Sequence, residues 1–140
     1  MSLVEQLTRV RRDERGQALV EFALIMPFLL LFIIGIVEFG RAWNQHQVIT
    51  DAAREGARSA VLFDVAITDD SVRQIIRTNL ARGGVNPDAA TINIADEGSG
   101  GSSVVSVSKP YQFAFFGALI KWTTGQSTIT LRTSTSMRNE

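Results

Sequence analysis

An uninterrupted run of apolar side chains lies near the beginning of the chain. Residues 22–37 contain no charged side chain, and residues 19–37 form a nineteen-residue stretch in which Glu21 is the only charged residue. A helix rises about 1.5 Å per residue, so this stretch reaches roughly 29 Å, close to the roughly 30 Å hydrocarbon core of a bilayer. The pattern predicts a helix that crosses a membrane once. Pro27 lies inside it and predicts a kink or a loosened turn, because proline removes one backbone hydrogen bond.

The helical pattern continues beyond the apolar stretch, from Glu38 to about Leu62. No proline occurs there, and apolar or small residues recur at helical spacing. The membrane-spanning part and the part that follows it are therefore predicted to form one continuous helix. Trp43 and His46 lie about one turn apart just outside the apolar stretch, a position that is typical of a membrane-interface belt.

Small residues in the second half of this helix predict close packing. The candidate packing positions are Ala53, Gly56, Ala57 and Ala60. Small side chains let another helix or a sheet approach closely. A glycine inside a helix costs about 1 kcal/mol relative to alanine, so Gly56 indicates a contact that leaves no room for a side chain. Two partners remain open: the C-terminal part of the same chain, which we favour, and a neighbouring subunit.

The remainder of the chain, residues 64–140, has the pattern of a small α+β unit. A second short helix is predicted at residues 68–82, where Thr68 or Asp69 caps its start and two glycines follow its end. Alternating apolar and polar residues predict three strands, at residues 91–95, 103–108 and 127–137, with a glycine- and serine-rich turn at 96–103. The expected arrangement is a small antiparallel sheet laid against the long helix.

An aromatic segment, residues 111–122 with the sequence YQFAFFGALIKW, lies between the last two predicted strands. It is too short to cross a bilayer. Its side chains fit either burial in the core or contact with the membrane surface, where Lys121 and Trp122 would act as interfacial anchors. We favour the core, because a domain of this size has few other large apolar residues to bury.

Composition argues against several classes of function. The 140 residues carry 14 Lys and Arg against 14 Asp and Glu, so no net field favours nucleic acid or an acidic substrate. The absence of cysteine excludes disulfides and thiolate metal sites, and His46 is the single histidine. The sequence contains no Ser-His-Asp set, phosphate-binding loop or dinucleotide fingerprint. We therefore expect no enzymatic activity, no cofactor, no metal site and no small-molecule substrate.

The flanks of the apolar stretch predict its orientation. Basic residues cluster before it, at Arg9, Arg11, Arg12 and Arg15. Lys and Arg bias a flank towards the cytoplasm, so the N-terminus is expected inside and the C-terminal part exported. A conventional secretory signal peptide is a poorer interpretation, because its apolar core is usually shorter, about 7 to 15 residues, and contains no acid.

Glu21 has two interpretations on these grounds alone. A charge deep in a bilayer costs about 2.5 to 3.5 kcal/mol, which makes an intramembrane carboxylate a functional candidate. A carboxylate close to the cytoplasmic interface instead carries a small penalty and complements the positive end of the helix.

The spacing of Gly16 and Glu21, behind a basic leader and at the start of an apolar run, resembles the signal of type IV pilin-like proteins. More narrowly, the chain is similar to the TadE-like family of pseudopilins from tight-adherence (Flp) pilus systems. The matching elements are Arg15-Gly16, residues 20–24, Pro27, Glu38, Gly40, Arg41 and residues 52–58. The resemblance covers roughly residues 15–60, under half of the chain.

This resemblance implies a type IV pilin-like member of the α+β class. It implies a cytoplasmic basic leader at residues 1–16, a continuous transmembrane and stem helix at 17–63, and an exported head at 64–140. A prepilin peptidase would cut after Gly16, so that Gln17 becomes the first residue and Glu21 the fifth. Glu21 would then pair with the new amine of its own or a neighbouring subunit and set the register between apolar helices.

The expected role is that of a minor pseudopilin or assembly factor, because the exported head makes the chain much larger than the very short principal pilins of these systems. The implied partners are the prepilin peptidase, other pilins or pseudopilins and the inner-membrane pilus platform. The implied location is the bacterial inner membrane, and the pilus after processing. A different class of function remains open, an uncleaved single-pass module whose periplasmic head binds a ligand.

Overall fold

The computed structural model describes residues 3–62, 69–96 and 101–138. In chain order its elements are α1 (Leu3–Leu62), α2 (Asp69–Arg82), a 3-10 turn (Pro87–Ala89), β1 (Thr91–Asp96), β2 (Ser102–Gln112), α3 (Gly117–Thr124) and β3 (Thr128–Arg138). A long N-terminal apolar helix, a short second helix and a three-stranded antiparallel sheet confirm the predicted α+β, pilin-like class. The predicted boundary at residues 63 and 64, Thr68 as a cap and most of the predicted turn at 96–103 lie outside the described residues.

The chain divides into two compact units, Met1–Val37 and Glu38–Glu140. In the first unit, every described residue from 16 to 33 is exposed, and α1 is helical on both sides of Pro27. One described helical segment, Gly16–Val61, is long and apolar enough to cross a membrane, and none of its most apolar window is buried. Length, composition and exposure together suggest a single-pass membrane anchor.

The sheet of the second unit has the strand order β1-β2-β3. Both pairings are antiparallel, and Val105 of the central strand lies opposite Ile94 of β1 and Thr135 of β3. Successive residues of β2 alternate between buried and half-buried over residues 103–107, because neighbouring side chains of a strand point to opposite faces. One face of the sheet is therefore available to pack against the helices.

The core of the second unit lies between that face, the second half of α1 and α2. Its buried members are Ile49, Ala52, Ala53 and Ala57 of α1, Val72, Ile76 and Leu80 of α2, Val85, Ile92 of β1, and Val105 and Val107 of β2. Arg73 of α2 also donates a 2.7 Å hydrogen bond to the carbonyl oxygen of Ile92. Charge-assisted bonds of this kind are stronger than neutral ones, so this bond adds polar support to the docking of α2 on β1.

The small residues of α1 allow α2 to approach closely. A Cβ at Gly56 would lie 2.5 Å from Cγ1 and 2.6 Å from Cδ1 of Ile76, which is too close for any real contact. Ala53 and Ala57 are fully buried beside it, and Ala60 packs against the same core. In the structure these four positions therefore contact the chain's own C-terminal part.

The aromatic segment departs from expectation in two ways. The strand β2 extends to Gln112, and the following residues form α3, a helix that the pattern did not predict. Gly125 ends α3 in the left-handed conformation, with a φ of 76° that glycine adopts without strain. Tyr111 is buried, but Phe115 and Trp122 are exposed, so the prediction of core burial is wrong for the two largest exposed side chains of this segment.

Candidate functional site

The predicted processing residues lie on the exposed surface of α1. Gly16, Gln17 and Glu21 are all exposed, and a side chain at Gly16 would meet no atom within 4 Å. Because α1 begins at Leu3, Gly16 lies within a helix, whereas the family resemblance implies a helix that begins at Gln17. Gln17 and Glu21 are four residues apart, a spacing that puts them on the same face of a helix, about 6 Å from each other.

A second carboxylate, Glu38, is the first residue after the apolar stretch and the first residue of the second unit. Only 2% of its surface is exposed. Its Oε1 atom accepts a 2.8 Å hydrogen bond from the backbone N–H of Phe115, and Oε2 accepts a 3.1 Å bond from the N–H of Phe116. We refer to Glu38 with these two backbone groups as the Glu38 clasp. It connects α1 to the turn that precedes α3.

Two further contacts join α1 to the same part of the sheet. The hydroxyl of Tyr111 donates to the backbone oxygen of Glu38 at 3.4 Å, and its ring meets that of Phe113 edge to face with centroids 5.0 Å apart. The Nζ atom of Lys109 donates a 2.6 Å hydrogen bond to Oε1 of Gln45. Tyr111 and Lys109, near the end of β2, are thus bonded to Glu38 and Gln45 of α1, in addition to the clasp.

Electrostatics favour an ionised Glu38, which lies outside the apolar stretch 19–37. Burial alone raises the pKa of Glu38, but backbone hydrogen bonds from Phe115, Phe116 and Ala114 and the positive charge of Arg41 outweigh it, and the pKa lies below its ordinary value. Burial and the nearby Glu38 charge raise the pKa of Tyr111, which Arg41 partly offsets. At neutral pH Glu38 is therefore a hydrogen-bonded anion and Tyr111 a neutral donor.

Exposed aromatic residues accompany the clasp on α1. Phe39 and Trp43 stack with centroids 6.4 Å apart, and Trp43 and His46 stack at 6.2 Å. The exposed fractions of Phe39 and Trp43 are 66% and 57%. His46 is half-buried in this stack, as one member of an aromatic row along the helix.

A groove of about 750 Å³ lies between α1 and α2, away from the clasp. Its lining includes Asp51 and Glu55 of α1 and Arg82 of α2, and Asp51 pairs with Arg54 on the helix surface at 3.7 Å. The lining contains no histidine or cysteine, and the described residues hold no cluster of three potential metal ligands. The groove therefore offers no arrangement from which catalysis can be argued.

Sequence reasoning did not identify Glu38 as a site residue. In the sequence it stands out only as one element of the family resemblance and as the beginning of the stem. A carboxylate at the end of an apolar run is the signal that singles it out, because such a group needs either water or hydrogen-bond donors. Its donors are backbone groups 77 and 78 positions away, which no residue pattern specifies.

Comparison with known proteins supports the resemblance drawn from the sequence. Residues 16–58 match the model of a family described as TadE-like protein. The match begins at Gly16, includes Glu21 and Glu38, and ends in the small-residue part of α1. It spans under half of the chain. No curated protein and no solved structure matches the chain.

Proposed function

We propose that the chain is a minor pseudopilin or assembly factor of a tight-adherence (Flp) pilus, processed by a prepilin peptidase after Gly16. The observation that carries this proposal is the TadE-like match over residues 16–58, which begins at the proposed cleavage site. The helix that is long and apolar enough to cross a membrane supplies the anchor, and the α+β second unit supplies a folded head. An anchor together with a folded head fits a minor subunit or assembly factor better than a very short principal pilin.

The geometry around Gly16 suits a processing site. The residue is exposed and free of neighbouring bulk, so a protease at the membrane face can approach its backbone. Cleavage requires the helix to open locally, and glycine lowers the cost of opening by about 1 kcal/mol relative to alanine. Cleavage would leave a charged amine at Gln17, one helical turn from Glu21.

Glu21 is then the register group of the proposed assembly. Its carboxylate is exposed, in a part of α1 where every described residue is exposed. Within a bundle of apolar helices such a carboxylate is costly until it pairs with a positive charge, so subunits would settle where an amine meets Glu21. Either its own Gln17 amine or that of a neighbouring subunit fits this role.

The location of the small residues restricts where subunits would pack. Ala53 and Ala57 are buried in the core of the second unit, and Gly56 between them is also buried. They are therefore unavailable to another subunit while this unit is folded. Helix-mediated packing between subunits would fall to the exposed apolar surface of residues 16–33, where association in a membrane depends on shape and polar pairing.

The experiment that tests the proposal determines the N-terminus of the protein from cells with and without the prepilin peptidase. We expect a chain that begins at Gln17, as the free amine or as pyroglutamate, only where the peptidase is present. Gly16→Val is the matched substitution, and it should keep the leader because a branched side chain blocks access to the bond. A chain that retains residues 1–16 in both strains favours the uncleaved, membrane-tethered binding module.

The orientation of the anchor is a separate element of the proposal. Basic residues before the apolar stretch support a cytoplasmic N-terminus and a periplasmic head in the bacterial inner membrane. The proposed partners are the prepilin peptidase, other pilins or pseudopilins and the inner-membrane platform of the pilus. Protease added to spheroplasts should digest the head while the cells remain intact, and full protection of the head contradicts this orientation.

A further inference from the structure

Two large aromatic side chains between β2 and β3 are mostly exposed. The exposed fraction is 67% for Phe115 and 85% for Trp122. Large exposed apolar patches that are rimmed by polar residues mark sites of contact with proteins or membranes. Lys121, which is also exposed, precedes Trp122 on α3.

We propose that the aromatic turn and α3 of the second unit form a membrane-contact surface, on which Phe115 and Trp122 enter the lipid headgroup region. The occupant is the bilayer that holds the chain's own anchor. This inference rests on the membrane anchor and is independent of the pilus role. A second copy of the chain and a soluble partner are the competing occupants.

Position along the chain is the first support. Glu38 directly follows Val37, the last residue of the apolar stretch, and one residue of helix rises only about 1.5 Å. The hydrocarbon core of a bilayer is about 30 Å thick and the whole bilayer about 40 to 45 Å, so each headgroup layer is several ångströms deep. The clasp fixes the N–H of Phe115 2.8 Å from the Glu38 carboxylate. The turn is therefore held beside the residue that follows the apolar stretch, and the proposal places it at the level of the headgroups.

Chemistry is the second support. Trp is enriched at membrane interfaces because its ring is apolar and its N–H is polar, and lysine extends its charge to lipid phosphates while its stem stays in apolar surroundings. The same combination occurs on α1, where the exposed residues Phe39, Arg41 and Trp43 follow the apolar stretch within two turns. Both segments carry the residue types of an interfacial belt.

The clasp explains why the turn does not leave this level. Without the Glu38 carboxylate, the N–H groups of Phe115 and Phe116 would need water or lipid oxygens as acceptors. With it, both groups are satisfied inside the protein while the ring of Phe115 points outward. The proposed surface can therefore enter the headgroup region without exposing unpaired backbone donors.

The test measures lipid contact of each tryptophan in the full chain. Trp43→Phe and Trp122→Phe each leave one native tryptophan, and both residues are exposed, so neither substitution disturbs the core. The two proteins are reconstituted into phosphatidylcholine vesicles containing lipid brominated near the carbonyl end of its acyl chains. Identical far-UV circular dichroism to the wild type confirms the fold. We expect Trp122 emission to be quenched to an extent comparable with that of Trp43.

A matched negative control uses the other end of the sheet. Ser136 of β3 is exposed and lies eight residues beyond Thr128, so it is about 27 Å farther along the strand. A tryptophan introduced by Ser136→Trp, with both native tryptophans replaced by phenylalanine, should not be quenched. Its emission reports whether the vesicles quench any exposed tryptophan.

The outcomes separate the possible occupants. Quenching of Trp122 and Trp43 without quenching at position 136 supports the proposal. Quenching of Trp43 alone overturns the proposed membrane-contact surface and leaves the membrane anchor supported. If neither tryptophan is quenched, both the membrane-contact surface and the position of the anchor are contradicted. If quenching of Trp122 by lipid falls as the protein-to-lipid ratio is raised, a second copy covers the surface and the proposal fails.

Discussion

The carboxylate of Glu38 accepts a hydrogen bond from the backbone N–H of Phe115 at 2.8 Å, although 77 positions separate the two residues. The bond joins the first residue after the apolar stretch to the turn before α3. The carboxylate is buried and accepts a second hydrogen bond from the N–H of Phe116. It therefore fixes the position of the turn and also satisfies two of its backbone donors.

Removal of the Glu38 charge should release the turn without unfolding the unit. Glu38→Gln keeps the shape of the side chain but replaces one acceptor oxygen with an amide group that only donates, so the two backbone N–H groups can no longer both be bonded. Amide hydrogen exchange of the full chain in micelles, followed by NMR, should become at least about tenfold faster at Phe115 and Phe116, as a bond worth about 1.5 to 3 kcal/mol is lost.

The matched control is Glu55→Gln, the same change at an exposed carboxylate on the same helix. It should leave exchange at Phe115 and Phe116 unchanged. Equal exchange rates in both variants and the wild type would show that the clasp does not hold the turn.

Acid should weaken the second unit through the same carboxylate. The pKa of Glu38 in the folded chain lies below its ordinary value of 4.5. Its stabilising effect is therefore complete above that ordinary value and is lost as the pH falls through the lowered folded pKa. In urea unfolding of the full chain in micelles, the wild type should exceed Glu38→Gln in unfolding free energy at neutral pH, and the difference should shrink in acid. A difference that stays constant with pH contradicts the assignment.

The parts of the fold that could be predicted from sequence are those encoded locally. The apolar stretch, the helical spacing through residue 62 and the alternation at residues 91–95 and 127–137 each specify an element by periodicity alone. Close packing at Gly56 of α1 could be anticipated from the sequence, because a glycine inside a helix indicates a close neighbour. What it contacts, the buried Ile76, became visible only in the structure.

The parts that could not be predicted depend on contacts between distant segments. Residues 111–122 have no clear period, so their aromatic content favours burial in the core. The structure instead exposes Phe115 and Trp122 and forms the helix α3 at Gly117–Thr124, which includes Trp122. The Glu38 clasp uses backbone donors, which are the same for every residue type except proline. Its acceptor could be suspected from sequence, but its partners could not.

Addition of a single methyl group at Gly56 should destabilise the second unit. A Cβ there would lie 2.5 Å from Cγ1 of the fully buried Ile76, so either the Ile76 side chain or the helices must shift. Overpacking of this kind costs about 1 to 3 kcal/mol, and the better helix propensity of alanine returns about 1 kcal/mol. We expect Gly56→Ala to lower the free energy of unfolding by about 1 kcal/mol in urea titrations.

Gly40 provides the matched control, since it lies in the same helix and a Cβ there would meet no atom within 4 Å. Gly40→Ala should be neutral or stabilising, by up to about 1 kcal/mol. A second check combines Gly56→Ala with Ile76→Ala, in which the new methyl group enters the space that the isoleucine vacates. The double substitution should cost less than the sum of the single ones, and strict additivity would mean that the two side chains do not compete for space.

Replacement of Glu21 should separate membrane insertion from assembly. Glu21→Gln removes the charge from an exposed position near the start of the apolar stretch, so insertion should be unchanged or slightly easier. If Glu21 pairs with the Gln17 amine of its own or a neighbouring subunit inside the assembly, the variant leaves a buried amine unpaired, at a cost of about 3 to 5 kcal/mol. Fractionation of cells should therefore show normal amounts in the membrane and a loss of at least about tenfold from the pilus fraction. Glu55→Gln should behave as the wild type in both fractions, because that carboxylate lies beyond the apolar stretch. Normal incorporation of Glu21→Gln would remove the register role from Glu21, while the N-terminus determined with and without the peptidase would still decide whether the chain is processed after Gly16.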